Sequence, residues 1–305
     1  MHGSRIIANY YESIKAYKAE RQTTWREIVR PSVAAEVKLQ GKIEAIIKKR
    51  FKAVAQVART QGYAFAYAFA ARPLYDDNAF GPISQMYLSV AVYYARRTYN
   101  ESTSSFESML KGMYLPLHWK SPKRFDALWR SALEQWLRLH GATFVQDINN
   151  TTRKDLMRIL NKSSEANLSQ EDVYNLLIKS NIPMIRAARI ARTETTRAVN
   201  AGILLGAASL PYETMKEWVT AEDEKVRDNP FSHTQLHGTV IPLEQSFNNG
   251  EDIRFPGDPL ASAENVINCR CMLKILPNLD ERRRPIFRGF DTLDTDILFR
   301  LSDLL

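Results

Sequence analysis

The N-terminal third of the chain carries apolar residues at helical spacing. Between residues 10 and 99 it is poor in Gly and Pro and rich in Ala, Lys, Glu and Ile, which favours helices. This pattern predicts helices over 10–29, 33–60 and 83–99. A Ser-rich run and two prolines predict a loop over 100–122. Helices are predicted to resume at 123–140 and 142–160, with Gly141 ending the first of them.

One segment of the N-terminal half has a different period. Tyr63, Phe65, Tyr67 and Phe69 alternate strictly with alanines, which would place all four rings on one face of a strand. Alanine favours a helix instead. The sequence leaves both structures open here.

The second half is predicted to begin with helices and to continue with short β-strands. Ser169, with Asp172 three residues on, is typical of a capped short helix, and a long helix is predicted over 184–210. Short β-prone pieces follow, broken by Gly, Pro and Asn, at 215–220, 239–247, 253–256 and 271–276. An apolar stripe from Phe287 to Leu304 predicts a final amphipathic helix.

These elements predict a mostly α protein with an α+β C-terminal domain, in which a small β-sheet packs on a long helix behind a long helical N-terminal region. The predicted divisions are a basic, largely helical region over 1–150, an α+β domain over 151–280 and the terminal helix over 281–305.

Charge is distributed unevenly along the chain. Residues 1–150 contain 22 basic and 12 acidic residues, whereas residues 151–305 contain 20 and 22, giving net charges of +10 and −2. This asymmetry indicates a polyanionic neighbour of the N-terminal half, with nucleic acid the first candidate. The basic run Lys48, Lys49, Arg50 and Lys52 is the predicted contact with DNA or a protein partner. A solvated basic surface is the open alternative.

Apolar runs and cysteine content limit where the protein works. The longest apolar runs are too short to cross a bilayer, and the N-terminus lacks the apolar core of a signal peptide, which predicts no membrane association and folding in a cytoplasm. The chain has two cysteines, too few for a disulfide framework.

Those cysteines, Cys269 and Cys271, form a C-x-C pair. On a strand they point to the same face, so both sulfurs could reach one ion, with His233 as a third ligand. His237 or Asp258 could supply the fourth. The prediction is a structural zinc site, and the alternative is a pair of small buried thiols beside an ordinary loop histidine.

Several motifs in order then resemble one known family. They are ARTETTRAVNAG from Ala191, KEWVTAEDEKVR from Lys216, H-x-x-L-x-G from His233, FPGDP from Phe255 and ENVINCRC from Glu264. Together they are similar to the phage head morphogenesis family of Mu protein F-like minor head proteins, over roughly residues 150–277. Carried onto this chain, the family pattern falls on Arg192, Glu194, Trp218, Asp223, Arg227, His233, Leu236, Gly238, Pro256, Gly257, Asp258, Pro259, Asn268, Cys269 and Cys271.

The resemblance implies a minor structural protein of a tailed-phage head, acting in head morphogenesis near the portal. It implies the portal protein or major capsid protein as partners, possible contact with packaged double-stranded DNA during packaging or delivery, and a place in the virion after assembly in the host cytoplasm. It implies no catalytic residues, so the chain is predicted not to be an enzyme. The alternative is a nucleic-acid-directed or toxin-like metal-dependent enzyme delivered with the phage genome and using His233.

Two further expectations concern charged residues beside this constellation. Arg192 and Arg197 lie on a helix that is otherwise largely apolar, so at least one guanidinium needs a buried acceptor. The prediction is that Arg192 pairs within the C-terminal domain and connects the helix to the sheet. Asp258, in a turn allowed by Gly257, is expected to accept hydrogen bonds from nearby backbone amides.

Overall fold

The structure, a computed structural model, describes residues 25–72, 79–107 and 122–288. Most of these residues are helical. The helices are α1 Trp25–Val29, α2 Val33–Gln61, α3 Tyr63–Ala71, α4 Phe80–Glu107, α5 Asp126–Glu165, α6 Gln170–Ile178, α7 Ile182–Ala208 and α8 Ala263–Val266. The strands are β1 Thr214–Val219, β2 Val240–Pro242, β3 Phe247–Asn248, β4 Asp252–Ile253 and β5 Met272–Pro277.

Helix α2 confirms the helix predicted over 33–60. It buries an apolar face repeating every three or four residues, formed by Leu39, Ile43, Ile47, Phe51 and Val54, each at most 2% exposed. Of the helix predicted over 10–29, residues 10–24 lie outside the described residues, and α1 occupies the rest.

Helix α4 continues past its predicted end at 99, so the predicted loop is wrong for residues 100–107. The Ser and Thr hydroxyls that favoured a loop bond inside the helix instead. Thr103 donates to the Tyr99 carbonyl at 2.8 Å and Ser105 to the Glu101 carbonyl at 2.6 Å. Arg97 and Glu101 add an i,i+4 ion pair at 2.7 Å. Residues 108–121 lie outside the described residues.

The alternating aromatic segment is the helix α3. Gly62, at φ +86°, separates it from α2. The alanines Ala66 and Ala70 face the interior at 0% exposure, whereas Phe65 is 63% exposed. The helix propensity of alanine therefore decides the structure, and the period-2 spacing of the rings does not mark a strand.

Helix α5 runs for 40 residues without a break at Gly141, so the predicted helix end there is wrong. The Phe80 ring stands where a side chain at this position would be: an added Cβ would lie 2.4 Å from Phe80 Cε2. Close approach of a ring, rather than a turn, explains this glycine.

Helices α6 and α7 follow their predictions closely. Ser169 caps α6, its side chain accepting from the Asp172 amide at 3.2 Å, as expected. Gly202 and Gly206 let α7 contact the α4 backbone, because an added Cβ would lie 2.3 Å from the Ala91 carbonyl oxygen and 2.4 Å from that of Ala95.

The C-terminal region contains a three-stranded antiparallel sheet in the order β2-β1-β5, and β3 and β4 form a separate two-stranded hairpin. In the larger sheet Trp218 on β1 lies opposite Leu273 on β5. Long helices followed by a small antiparallel sheet confirm the predicted fold class. Phe287, the first residue of the apolar stripe in the predicted terminal helix, lies in an isolated bridge with Tyr212, and residues 289–305 lie outside the described residues.

The described residues fall into two compact units, each assembled from separate parts of the chain. The first takes its residues from the ranges 1–33, 87–136 and 193–305, and the second from 34–86 and 137–192. The predicted boundaries at 150 and 280 stay a prediction. Within the described ranges no helix combines the length and apolar character needed to cross a membrane.

Candidate metal centre

Helix α7 holds the C-x-C segment through a row of polar side chains. Thr196 donates to the Cys269 carbonyl at 3.0 Å, and Thr193 accepts from the Asn268 amide at 2.8 Å. Asn200 is fully buried. It donates to the Cys271 carbonyl at 3.2 Å and accepts from the Leu273 amide of β5 at 2.8 Å. Spacings of three and four residues place these side chains on one helix face. There they satisfy backbone groups of residues 268–273 that form no hydrogen bond to a strand.

Three potential metal ligands meet beside this face. Nδ1 of His233 lies 3.5 Å from the sulfurs of both Cys269 and Cys271. All three ligand atoms lie within 4.8 Å of one another, and both cysteines are free. His233 is 1% exposed, Cys269 5% and Cys271 3%. The structure therefore brings together the three residues that the sequence predicted.

Asn265 determines how the His233 ring presents its nitrogens. The Asn265 amide nitrogen donates to Glu251 at 3.0 Å, and its oxygen lies 2.7 Å from His233 Nε2. A carboxylate can only accept, so the Asn265 oxygen must face the ring and Nε2 must carry a hydrogen. In the neutral ring, Nδ1 then directs its lone pair toward the two sulfurs.

Trp218 closes the other side of the histidine. Its fully buried ring meets His233 edge-on, with centroids 5.2 Å apart, and meets Phe247 on the β3–β4 hairpin at 5.1 Å. Strand, loop and hairpin are thus joined around one imidazole. The family-pattern position Trp218 is part of the wall of the cluster.

The two cysteines titrate in opposite directions. A hydrogen bond from Cys271, opposed by burial and reinforced by His233, holds the pKa of Cys269 well below its usual range. Burial raises the pKa of Cys271 well above its usual range, and the neighbouring Cys269 sulfur adds to that. Burial lowers the pKa of His233, but the bond to Cys269 outweighs it and the net direction is upward.

The two candidates for a fourth ligand lie elsewhere. His237 accepts from the Thr220 amide through Nδ1 at 3.1 Å, and its Nε2 lies 2.9 Å from Glu222. Asp258 binds Arg254, with one oxygen 2.6 Å from Nη2. Neither joins the ligand group formed by the described residues.

The PGDP turn is structural. Asp258 accepts from the backbone amides of Arg254 at 2.9 Å and Leu260 at 3.0 Å, as expected for this turn. Gly257, at φ +88°, lies so close to α7 that an added Cβ would be 3.1 Å from the Arg197 Cα. The turn is therefore anchored on the helix through a position that excludes a side chain.

Arg197, and not Arg192, is the arginine that connects the helix to these loops, so the prediction for Arg192 is wrong. Arg197 is 5% exposed; Nε donates to the Gly257 carbonyl at 2.6 Å, and Nη1 lies 3.1 Å from both Glu194 oxygens. Tyr87 donates to the same carboxylate at 2.9 Å. Arg192 instead pairs with Glu36 at 3.4 Å, with 37% of its side chain exposed.

The remaining family-pattern residues hold loops in place. Arg270, between the two cysteines, pairs with Asp223 through two hydrogen bonds, one of 2.7 Å, and thereby lowers the pKa of Asp223 to about 2. Arg227 donates to the Ile267 carbonyl at 2.6 Å. Gly238 (φ +76°) and Asn268 (φ +63°) occupy left-handed conformations, which glycine and asparagine tolerate best.

The predicted basic contact on α2 divides into two groups. Lys49 and Lys52 are exposed, and Lys48 is exposed but pairs with Glu44 at 2.6 Å. Arg50 turns away, donating to the Phe69 carbonyl at 2.9 Å with its guanidinium 4.6 Å from the Phe69 ring centre. Arg50 therefore supports the fold, and contact with DNA or a partner stays a prediction for the lysines.

Sequence reasoning missed Thr193, Thr196, Asn200 and Asn265. The first three carried a signal, since polar residues at spacings of three and four along a mostly apolar helix indicate a face that bonds to something buried. Asn265 carried no such signal. Its importance depends on a contact with His233, 32 residues earlier in the chain.

Lys216 on β1 is a buried base whose charge depends on pH. It is 1% exposed, and its amino group donates to the Arg254 carbonyl at 2.8 Å. Burial is the main cause that lowers its pKa from 10.5 to about 7. Because the unfolded chain binds the extra proton between these two values, stability rises with pH across that window.

We expect Lys216→Met to flatten this rise, since methionine has no proton to lose on folding. The free energy of unfolding, measured in urea at both ends of the window, should gain a few kcal/mol less with pH than in the parent. Lys225→Met, at an exposed position, is the control and should keep the parental slope. If the free energy of unfolding rose equally with pH in the parent and in both variants, the lowered pKa would not belong to Lys216.

Taken together, the fold and site define a small α+β domain built on a long helix and closed around a buried Cys and His cluster. Residues 141–274 match the family model described as Phage Mu protein F like protein. This match confirms the family resemblance over this segment of the chain.

One relative gives a weaker comparison. The chain is 28% identical over 145 residues to "Uncharacterized protein YqbB" from Bacillus subtilis (strain 168), covering 45% of this chain and 46% of that protein. The chain thus matches less than half the length of this relative. No solved structure gives a significant match.

Proposed function

We propose that this chain is a minor structural protein of a tailed-phage head, which acts in head morphogenesis near the portal and touches packaged DNA. The family match over residues 141–274 carries the first part. The described site supports a structural role over the catalytic alternative, because His233 is buried and both its ring nitrogens are engaged. Assembly in the host cytoplasm, with the portal or major capsid protein as partner, belongs to the same proposal.

An exposed lysine face on α2 supports the DNA contact. Lys38, Lys42, Lys49 and Lys52 are all exposed. At about 100° per residue they fall within an arc of about 80° and extend over about 21 Å of the helix. Of the four, Lys42 also approaches Gln85, at 3.4 Å. The acids of α2, Glu36 and Glu44, lie outside this arc.

A straight row of ammonium groups suits a regularly charged polymer. Duplex DNA carries one phosphate per about 1.7 Å of axis, so a row of about 21 Å meets many possible partners without requiring a sequence. Lysine contacts of this kind position a protein and read no bases. We therefore assign the lysine face to sequence-independent DNA contact.

Replacing all four lysines of this face by glutamine is the test. We expect weaker binding to duplex DNA, and the slope of log K against log salt to fall by up to about 3.6, at about 0.9 per lost contact. The matched control changes four exposed lysines elsewhere, Lys154, Lys162, Lys179 and Lys225, to glutamine. Two outcomes would contradict DNA contact by the lysine face. One is an equal loss of DNA affinity in both variants, and the other is parental DNA binding that does not change with salt concentration.

The location near the portal requires a separate measurement. Antibody labelling of opened heads in the electron microscope should mark one vertex. Labelling spread evenly over the inner shell would contradict a portal-proximal role while leaving the family assignment intact.

A further inference from the structure

We propose that Cys269, Cys271 and Nδ1 of His233 bind one Zn²⁺ ion, which fastens the loop before β2 to the segment that enters β5. This goes beyond the head-assembly function, and it rests on the geometry of three side chains. The DNA experiment uses α2 and is independent of it.

The distances fit a tetrahedral zinc ion. With Zn–S bonds of about 2.3 Å and a Zn–N bond of about 2.05 Å, the nitrogen-to-sulfur edge of a tetrahedron is about 3.6 Å. The structure places Nδ1 at 3.5 Å from each sulfur. Two equal edges from one nitrogen are what a shared ion requires.

The surroundings also prepare these atoms to bind a metal. Histidine ligands usually donate their second ring N–H to an oxygen, which orients the ring. Here Nε2 meets the Asn265 oxygen at 2.7 Å, and the Glu251 carboxylate fixes that amide. The Cys271 amide also donates to the Cys269 sulfur at 3.4 Å, a contact that favours a thiolate.

Charge and ligand type select the ion. Two thiolates and a neutral imidazole carry a charge of −2, which Zn²⁺ cancels inside a buried site. Sulfur and imidazole ligands favour zinc over magnesium or calcium. Without a cation, two buried thiolates side by side would repel each other at low dielectric.

The fourth position is assigned to a water molecule. Among the described residues no further His, Cys, Asp or Glu joins the group. Zinc with three protein ligands can be catalytic when substrate reaches the ion, but here each ligand is at most 5% exposed. The ion therefore stabilises the fold in this proposal.

The first test measures metal content. Tag-free protein, purified with zinc present and then dialysed, should contain about one zinc per chain by elemental analysis. After chelation, Co²⁺ should restore binding and produce the visible bands of a tetrahedral site with a thiolate-to-cobalt charge-transfer band. Folded protein with less than about 0.1 zinc per chain, and no such bands with Co²⁺, would overturn the proposal.

Variants identify the ligands. Cys269→Ser, Cys271→Ser and His233→Gln should each lower the zinc content and shift the cobalt spectrum, whereas the control His237→Gln, four residues from His233, should leave both unchanged. Circular dichroism establishes which variants remain helical. If a variant fails to fold, chelation and cobalt reconstitution of the parent still decide the question. Full zinc content in a folded Cys269→Ser/Cys271→Ser double variant would refute the site.

Discussion

Arg197→Met is expected to lower the free energy of unfolding by about 3–5 kcal/mol, because it leaves the Glu194 carboxylate buried without its cation. Arg197 is 5% exposed and contacts both Glu194 oxygens at 3.1 Å. The substitution also removes the donor to the Gly257 carbonyl, so the PGDP turn keeps only the hydrogen bond from Asn200 to the Pro256 carbonyl, at 3.0 Å, among those of the described residues between the turn and α7. Chemical denaturation followed by circular dichroism measures the change.

The same substitution at Arg192 is the matched control. That side chain is 37% exposed and pairs with Glu36 at 3.4 Å, so Arg192→Met should change stability by about 0–1 kcal/mol. Adding Glu194→Gln to Arg197→Met should recover part of the loss, since a neutral amide is cheaper to bury than an unpaired carboxylate. Similar losses at both arginines would contradict the assignment of the buried pair.

Gly202→Ala is expected to lower the free energy of unfolding by about 1–3 kcal/mol, although alanine is the better helix former. The added Cβ would stand 2.3 Å from the Ala91 carbonyl oxygen and 2.8 Å from its Cα, so α4 and α7 would have to separate. Backbone cannot move aside as the end of a side chain can. Denaturation midpoints of parent and variant give the difference.

Gly41→Ala is the opposite case. Nothing lies within 4 Å of an added Cβ on this exposed face of α2, so the intrinsic preference should prevail and stability should rise by about 0.5–1 kcal/mol. A loss at Gly41, or a gain at Gly202, would show that contact with α4 does not determine the outcome.

Local patterns predicted the helices well and their ends poorly. The apolar repeat of α2 and the Ser169 cap depend only on residues a few positions away in the sequence, so the sequence alone identifies them. Gly141 failed as a helix end because the Phe80 ring, far away in the sequence, requires it. Residues 100–107 failed because hydroxyls that suit a loop also bond back inside a helix.

The candidate site was likewise predicted only in part from the sequence. The C-x-C spacing and the preceding histidine were enough to predict that Cys269, Cys271 and His233 come together. Arg192 and Arg197 could not be told apart from the sequence, because both lie on the same largely apolar helix. Five residues turn a helix by about 500°, so the two side chains lie about 140° apart and face different surroundings. Only the position of the PGDP turn decides which one faces inward.

The side chain of Asn200 also determines how the small sheet ends. β5 is the outer strand on its side, and Asn200 takes up the amide of Leu273 and the carbonyl of Cys271, groups that could otherwise recruit a foreign strand. In this three-stranded sheet, the other edge is that of β2. There Pro242 has no amide hydrogen to donate, which discourages edge-to-edge aggregation.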